Sequence, residues 1–167
     1  MQLPVKLTGH DIIRRSIMVN IQNILVPTDF SRYSDAAFKK SLEIAETFNS
    51  KIYLFHVVHS DADFSVLETF DDETQRKVQA KLDKKWETGF KNQIDKFPQT
   101  AKIEIIKRVA KDIPYKEILE CQQEIGADMV VISTHGRSGF KDFFFGSTVE
   151  KVIRRATCSI LLVKETQ

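Results

Sequence analysis

One stretch of this chain carries the residue types needed to hold a phosphate. Ser133-Thr134-His135-Gly136-Arg137-Ser138-Gly139 brings together two glycines, three hydroxyls, an imidazole and a guanidinium, and Gly146-Ser147-Thr148 follows seven residues later. Glycine lets backbone approach a ligand closely. N–H groups at the start of a helix, where the dipole is positive, favour an anion. Met129-Val130-Val131-Ile132 before the loop reads as a strand buried on both faces. Val149, Val152, Ile153 and Ala156 after it recur at helical spacing. Two readings need no ligand: the glycines serve as turn residues, or Ser147-Thr148-Val149-Glu150 forms an S-x-x-E capping box that closes the helix's own N–H groups. Neither G-x-x-x-x-G-K-[ST] nor G-x-G-x-x-G occurs in the chain.

The elements that must position this loop follow from the rest of the pattern. Ile21 and Ile24-Leu25-Val26 predict a first strand, ended by Pro27 and Asp29. A helix starts at Ser31 or Ser34, both suited to an N-cap, and runs to about Phe48 with Phe38, Leu42, Ala45 and Phe48 as its apolar stripe. Asn49-Ser50 stops it, and Lys51 to Val58 predicts a second strand. His59 to Asp72, with Asp61, Asp63, Asp71 and Asp72, is expected to loop over the sheet edge or the site mouth.

Glu73 to Phe97 predicts a long charged helix ended by Pro98, with Val78, Leu82, Trp86, Phe90, Ile94 and Phe97 on a drifting apolar face and Trp86 as a core anchor. Ile103, Ile105, Ile106 and Val109 predict a third strand. Asp112-Ile113-Pro114 opens the next helix, whose inward row is Tyr115, Ile118, Leu119, Gln122 and Ile125, with Gly126 at its C-terminal cap. A last helix from Ser147 to Ala156 and a fifth strand from Ser159 to Val163 close the chain. Apolar strands alternating with amphipathic helices predict a parallel sheet covered on both faces, an α/β fold. Met1 to Val19 fits neither element type; it is expected to be an extension, a mobile tail or an arm on a neighbour, ahead of a single domain over residues 20–167.

Composition narrows the function classes. With 42% hydrophobic and 29% charged residues, the 167-residue chain reads as an ordinary soluble globular domain. Its 25 basic and 23 acidic residues nearly balance, which argues against nucleic acid or a membrane surface as partner. Cys121 and Cys158 form no C-x-x-C, so neither a disulfide framework nor a zinc site is expected, and a reducing compartment is the default. No apolar run approaches the ~20 residues that span a bilayer. His10, His56, His59 and His135 show no metal spacing; His56 reads as a locally satisfied strand residue and His135 as a loop hydrogen-bonder.

The two ends of this region resemble one family. Thr134-His135-Gly136-Arg137-Ser138-Gly139 with Gly146-Ser147 is similar to the nucleotide loop of the universal stress proteins, and Ile24-Leu25-Val26-Pro27-Thr28-Asp29-Phe30-Ser31 is similar to that family's first strand and turn. The likeness runs roughly from Val19 to Val163. The family's ATP-binding branch carries G-x2-G-x9-G-[ST]; Gly136, Gly146 and Ser147 match its later positions, and Ser133 stands where the first glycine would be.

The resemblance implies a three-layer α/β/α fold with a doubly wound, five-stranded parallel sheet in the order 3-2-1-4-5, of the adenine nucleotide alpha hydrolase-like kind. That order reverses between the first and fourth strands, and ligands bind outside the strand ends at such a point. Pro27-Thr28-Asp29 and Ser133 to Gly139 would meet there. The resemblance further implies ATP or a related adenine nucleotide, with Mg or Mn accompanying its phosphates. Asp29 and Val57 would lie near ribose and base, and the backbone of Pro27 and Ile132 beside the ring. Gly136, Arg137, Ser138, Gly139 and Gly146-Ser147-Thr148 would offer N–H groups to the phosphates. Asp29 has an alternative role as a cap of the first helix.

A cytoplasmic homodimer acting in stress response, paired through Ser159 to Val163, is the implied assembly, with Phe143-Phe144-Phe145 behind the loop or on the dimer surface. Some family members bind no nucleotide and act as dimeric stress-response or interaction proteins, and Ser133 keeps that reading open. A dedicated enzyme is not indicated, since no positioned general base or nucleophile elbow is evident, although slow ATP hydrolysis stays open. A phosphoacceptor built on Asp29, Asp112, Thr134 and Lys164 fits loosely and leaves the glycine loop without a purpose.

Overall fold

The computed structural model describes residues 20–59, 70–136 and 146–165. The N-terminal segment Met1 to Val19, most of the Asp-bearing loop, and Arg137, Ser138, Gly139 and Phe143-Phe144-Phe145 lie outside the described residues. Among the described residues, five strands and four α-helices alternate: β1 (Asn23–Pro27), α1 (Arg32–Phe48), β2 (Lys51–Val58), α2 (Asp72–Ile94), β3 (Ile105–Lys111), α3 (Pro114–Glu124), β4 (Met129–Ser133), α4 (Ser147–Arg155) and β5 (Ser159–Val163). The strands form one parallel sheet in the order β3-β2-β1-β4-β5. This is the expected doubly wound arrangement, and its order reverses between β1 and β4.

The core lies on both faces of the sheet. On one, α1 and α2 cover Ile24, Val26, Ile52, Leu54 and Val131, with Phe38, Leu42, Trp86 and Phe90 as the largest helical contributions. On the other, Leu25, Phe55, Val130 and Ile132 meet Ile118 and Cys121 of α3 and Val149 and Val152 of α4. The central strands alternate between the two clusters, which is why their sequences are apolar throughout. Edge strands differ: β3 exposes every second residue from Lys107 onward, and Ile160, Leu161, Leu162 and Val163 of β5 are part-buried.

Local chemistry sets the helix boundaries. The Ser31 hydroxyl caps α1 by accepting the N–H of Ser34, and Asn49 ends it in the left-handed conformation at φ 57°. The C-terminal Phe48 is 39% exposed and does not join the apolar stripe. Gly126, at φ +57°, follows α3 as the expected left-handed cap. Two boundaries differ from expectation. Helix α2 stops at Ile94, not Phe97, and Phe97 then leads into a 3-10 turn over Pro98–Lys102. The reason is packing: leaving the helix lets Phe97 meet Phe38 edge-to-face at 5.5 Å. The third strand starts at Ile105, with Ile103 packing on the core from the preceding turn.

Candidate functional site

The carboxyl ends of β1 and β4 sit side by side because β1 pairs with β4 in register, Leu25 opposite Val130. Beyond them opens a cleft of about 270 Å³. Ten of the sequence-derived candidates line it: Pro27, Thr28, Asp29, Val57, Ile132, Ser133, Gly136, Gly146, Ser147 and Thr148. The other two, Arg137 and Gly139, lie outside the described residues. Residues separated by more than a hundred positions therefore face one space.

Their side chains are not equally available to it. Thr28 is buried and its hydroxyl turns inward, donating to Gln93 Oε1 at 2.8 Å and accepting the N–H of Phe30 at 3.0 Å. Its backbone is tied as well: the N–H donates to the Phe55 carbonyl and the carbonyl accepts from His56 Nδ1, both at 2.8 Å. Asp29 Oδ1 accepts the N–H of Ser31 at 3.0 Å, tying the turn just ahead of α1; the helix cap expected of Asp29 as an alternative is Ser31 itself. The other oxygen points toward the glycine loop, where an added Cβ on Gly136 would lie 3.0 Å from Asp29 Oδ2. One carboxylate thus touches both the β1 turn and the β4 loop.

Ser133 is buried, and its hydroxyl donates to the His135 carbonyl at 2.8 Å, closing the start of the loop. Its φ is not positive, since the described non-glycine residues with positive φ are Phe30 and Asn49. Serine at this position therefore carries no backbone strain. Thr134 hangs the loop on β5 through its N–H to the Val163 carbonyl at 3.0 Å. Its hydroxyl meets His135 Nδ1 at 2.9 Å, and the His135 ring lies 5.8 Å from that of Tyr33. His135 is the loop hydrogen-bonder expected. His56 is likewise satisfied locally: a carbonyl can only accept, so its Nδ1–H donates to Thr28 O at 2.8 Å.

The capping box is corrected. Ser147 is the first residue of α4, and Gly146 occupies the N-cap position with φ −56° and ψ 149°, so no side chain caps the helix. Glu150, which would have reached back, pairs instead with Arg154 at 3.1 Å. The first helical bond runs from Glu150 N–H to the Gly146 carbonyl. The N–H groups of Ser147, Thr148 and Val149 precede that bond, so the helix itself cannot satisfy them. All three residues line the cleft. The arrangement offers N–H donors, the positive end of a dipole and a hydroxyl at one wall.

Sequence reasoning missed part of the lining: Ser34, Phe55, Pro114, Ile118 and Val149, with His135 assigned to the loop alone. Two signals could have found most of them. Phe55 stands two residues before Val57 on the same strand face. Pro114 and Ile118 are one helical turn apart at the start of α3, the helix that follows the strand beside β2. Together with Val57 and Ile132 they make an apolar wall opposite the polar loop. Among the described residues, no group of three or more His, Cys, Asp or Glu converges in a way that could hold a metal ion. No helix of the described residues is long and apolar enough to cross a membrane.

Known proteins share this architecture. A universal stress protein of Methanocaldococcus jannaschii is 29% identical over 157 residues, covering 92% of this chain and 90% of the relative. The solved structure of the hypothetical protein MJ0577 matches with a TM-score of 0.73 at 23% identity, over 89% of this chain and 99% of that one. A universal stress protein in complex with cAMP matches at TM-score 0.61, 21% identical, over 87% of this chain and 98% of its own. One from Archaeoglobus fulgidus in complex with dAMP matches at 0.55, 18% identical, over 88% and 100%. At these identities the structural likeness speaks for the fold. The model of the universal stress protein family matches residues 20–164, and the chain belongs to that family.

Proposed function

We propose that this protein is an ATP-binding regulatory stress-response protein that acts as a homodimer. The observation that carries the reading is the cleft: the β1 turn, the β4 loop and the α4 N-terminus line one space at the point where the sheet order reverses. A volume of about 270 Å³ falls just below the range of ligand sites, about 300–1,000 Å³. It suits an adenosine, with the phosphates at the mouth.

In this reading the base packs against Val57, Ile132 and Ile118, beside the backbone of Pro27 and Thr28. Asp29 Oδ2 accepts from a ribose hydroxyl. The phosphates take the N–H groups of Gly136, Gly146, Ser147 and Thr148, the Ser147 hydroxyl, and the following loop with Arg137 and Gly139. Mg or Mn accompanying the phosphates would draw its ligands from phosphate oxygens and water, as such ions commonly do. The cAMP and dAMP held by two relatives support an adenine nucleotide. The part-buried apolar residues of β5 support a partner along that edge.

The test is to denature freshly purified protein and identify released small molecules by mass spectrometry, with calorimetry of added Mg-ATP alongside. ATP or ADP near one per chain supports the reading. An empty protein that ignores Mg-ATP favours a nucleotide-free dimeric stress-response or adaptor protein, the reading for which the buried Ser133 side chain speaks. A monodisperse monomer in light scattering at micromolar concentration defeats the homodimer.

A further inference from the structure

The turn that carries Asp29 is gripped from outside the cleft by α2. Phe30 adopts φ 62°, a left-handed conformation that costs an aromatic L-residue steric strain. Its ring lies over the backbone of Gly89, where an added Cβ would stand 2.9 Å from the ring edge. The same ring meets Phe90 edge-to-face at 5.1 Å and tilts over His56 at 4.5 Å. One turn further along α2, the buried Gln93 accepts from the Thr28 hydroxyl at 2.8 Å and donates to Asp35 at 2.9 Å. Both neighbours of Asp29 are therefore anchored on one face of α2, formed by Gly89, Phe90 and Gln93, and none of these three lines the cleft.

Three locally unfavourable choices converge on this turn: a left-handed phenylalanine, a glycine inside a helix, and a buried glutamine. Such exceptions persist where the surrounding structure over-determines them, and they cluster at functional sites. We propose that Phe30 and Gln93 are positioning residues for the Asp29 carboxylate, so that α2 sets the preference of the site for a ligand with ribose hydroxyls. This rests on the nucleotide reading above. The ring holds residue 30 left-handed; once displaced, the residue relaxes to negative φ and turns the Asp29 peptide, carrying Oδ2 away from Gly136. The Thr28–Gln93 bond fixes the other end of that peptide pair.

The test measures dissociation constants of Mg-ATP and Mg-2′,3′-dideoxy-ATP by calorimetry for the full chain. Wild type is expected to favour the ribonucleotide at least fivefold, and Asp29→Ala to abolish that ratio. Gly89→Ala, which pushes on the ring, and Gln93→Leu, which breaks the bond between Thr28 and α2, are each expected to bring the ratio below twofold while dideoxy-ATP affinity stays within twofold. Phe30→Leu, which lacks the ring and its contacts with Phe90 and His56, is likewise expected to bring the ratio below twofold. A discriminating wild type with unchanged ratios in any folded variant overturns the proposal and leaves the nucleotide site standing. Equal weakening of both ligands, tracking lost stability, overturns it too. A wild type that binds neither nucleotide overturns both readings.

Discussion

Asp29 and Gly136 meet across the reversal point of the sheet, so closely that a Cβ on Gly136 would stand 3.0 Å from Asp29 Oδ2. The contact joins the β1 turn to the β4 loop and explains the glycine by space, since Gly136 needs no positive φ. In Gly136→Val the branched side chain must push on the carboxylate. The variant is expected to fold and to bind Mg-ATP at least tenfold more weakly, a loss of about 1.4 kcal/mol or more. Calorimetry beside a thermal melt checks both halves.

Ser133 closes the loop with its hydroxyl on the His135 carbonyl. Ser133→Gly removes that bond, worth about 0.5–1.5 kcal/mol, and adds backbone freedom costing about 0.5–1 kcal/mol. A loss of about 1–2 kcal/mol in urea unfolding is expected. No change would show that the loop holds its form without the hydroxyl.

Gln93 joins Thr28, Ser34 and Asp35 in a buried network. Gln93→Leu removes its bonds to the Thr28 hydroxyl and to Asp35, leaving Thr28 with Ser34 Oγ at 3.1 Å as acceptor; each lost bond costs about 0.5–1.5 kcal/mol. Equilibrium denaturation is expected to register about 2 kcal/mol, with the m-value unchanged.

Phe38 is fully buried between α1 and the sheet, edge-to-face with Phe97. Phe38→Ala is expected to cost about 3–5 kcal/mol through lost burial and the cavity left behind. At about 2–4 °C per kcal/mol, the melting temperature should fall by about 10 °C.

Cys121 is buried against Arg108, and burial pushes its thiol from an ordinary value near 9 up to about 11, with the Arg108 charge opposing the shift. A raised value means the folded state holds the proton more tightly than the unfolded one. The stability this contributes is complete below pH 9 and is lost as pH climbs to about 11. Wild type should therefore lose more stability between pH 8 and pH 10.5 than Cys121→Ala does, as read by urea midpoints at each pH. Equal losses would remove the thiol from the account.

Read on its own, the sequence determined the elements and their layering. Buried parallel strands must be apolar throughout and helices apolar on one side, so β1, β2, β4 and β5 and the stripes of α1 and α2 are legible as periods. The order of the strands and the meeting of two distant motifs came from likeness to a family, and the sheet carries both. Tertiary structure decided what each side chain does there. Ser147 and Glu150 match a capping box, but Gly146 takes the cap and Glu150 turns to Arg154, because a cap depends on the entry angle of the chain. Thr28 sits in the site motif, yet its hydroxyl is committed to Gln93, sixty-five positions away. Gly89 matches no sequence motif and nothing in its own motif marks Phe30 as left-handed; only their contact shows why one is glycine and the other left-handed. Periodicity is local and survives in one dimension, whereas the division of hydrogen-bonding groups between fold and cleft depends on which elements pack together.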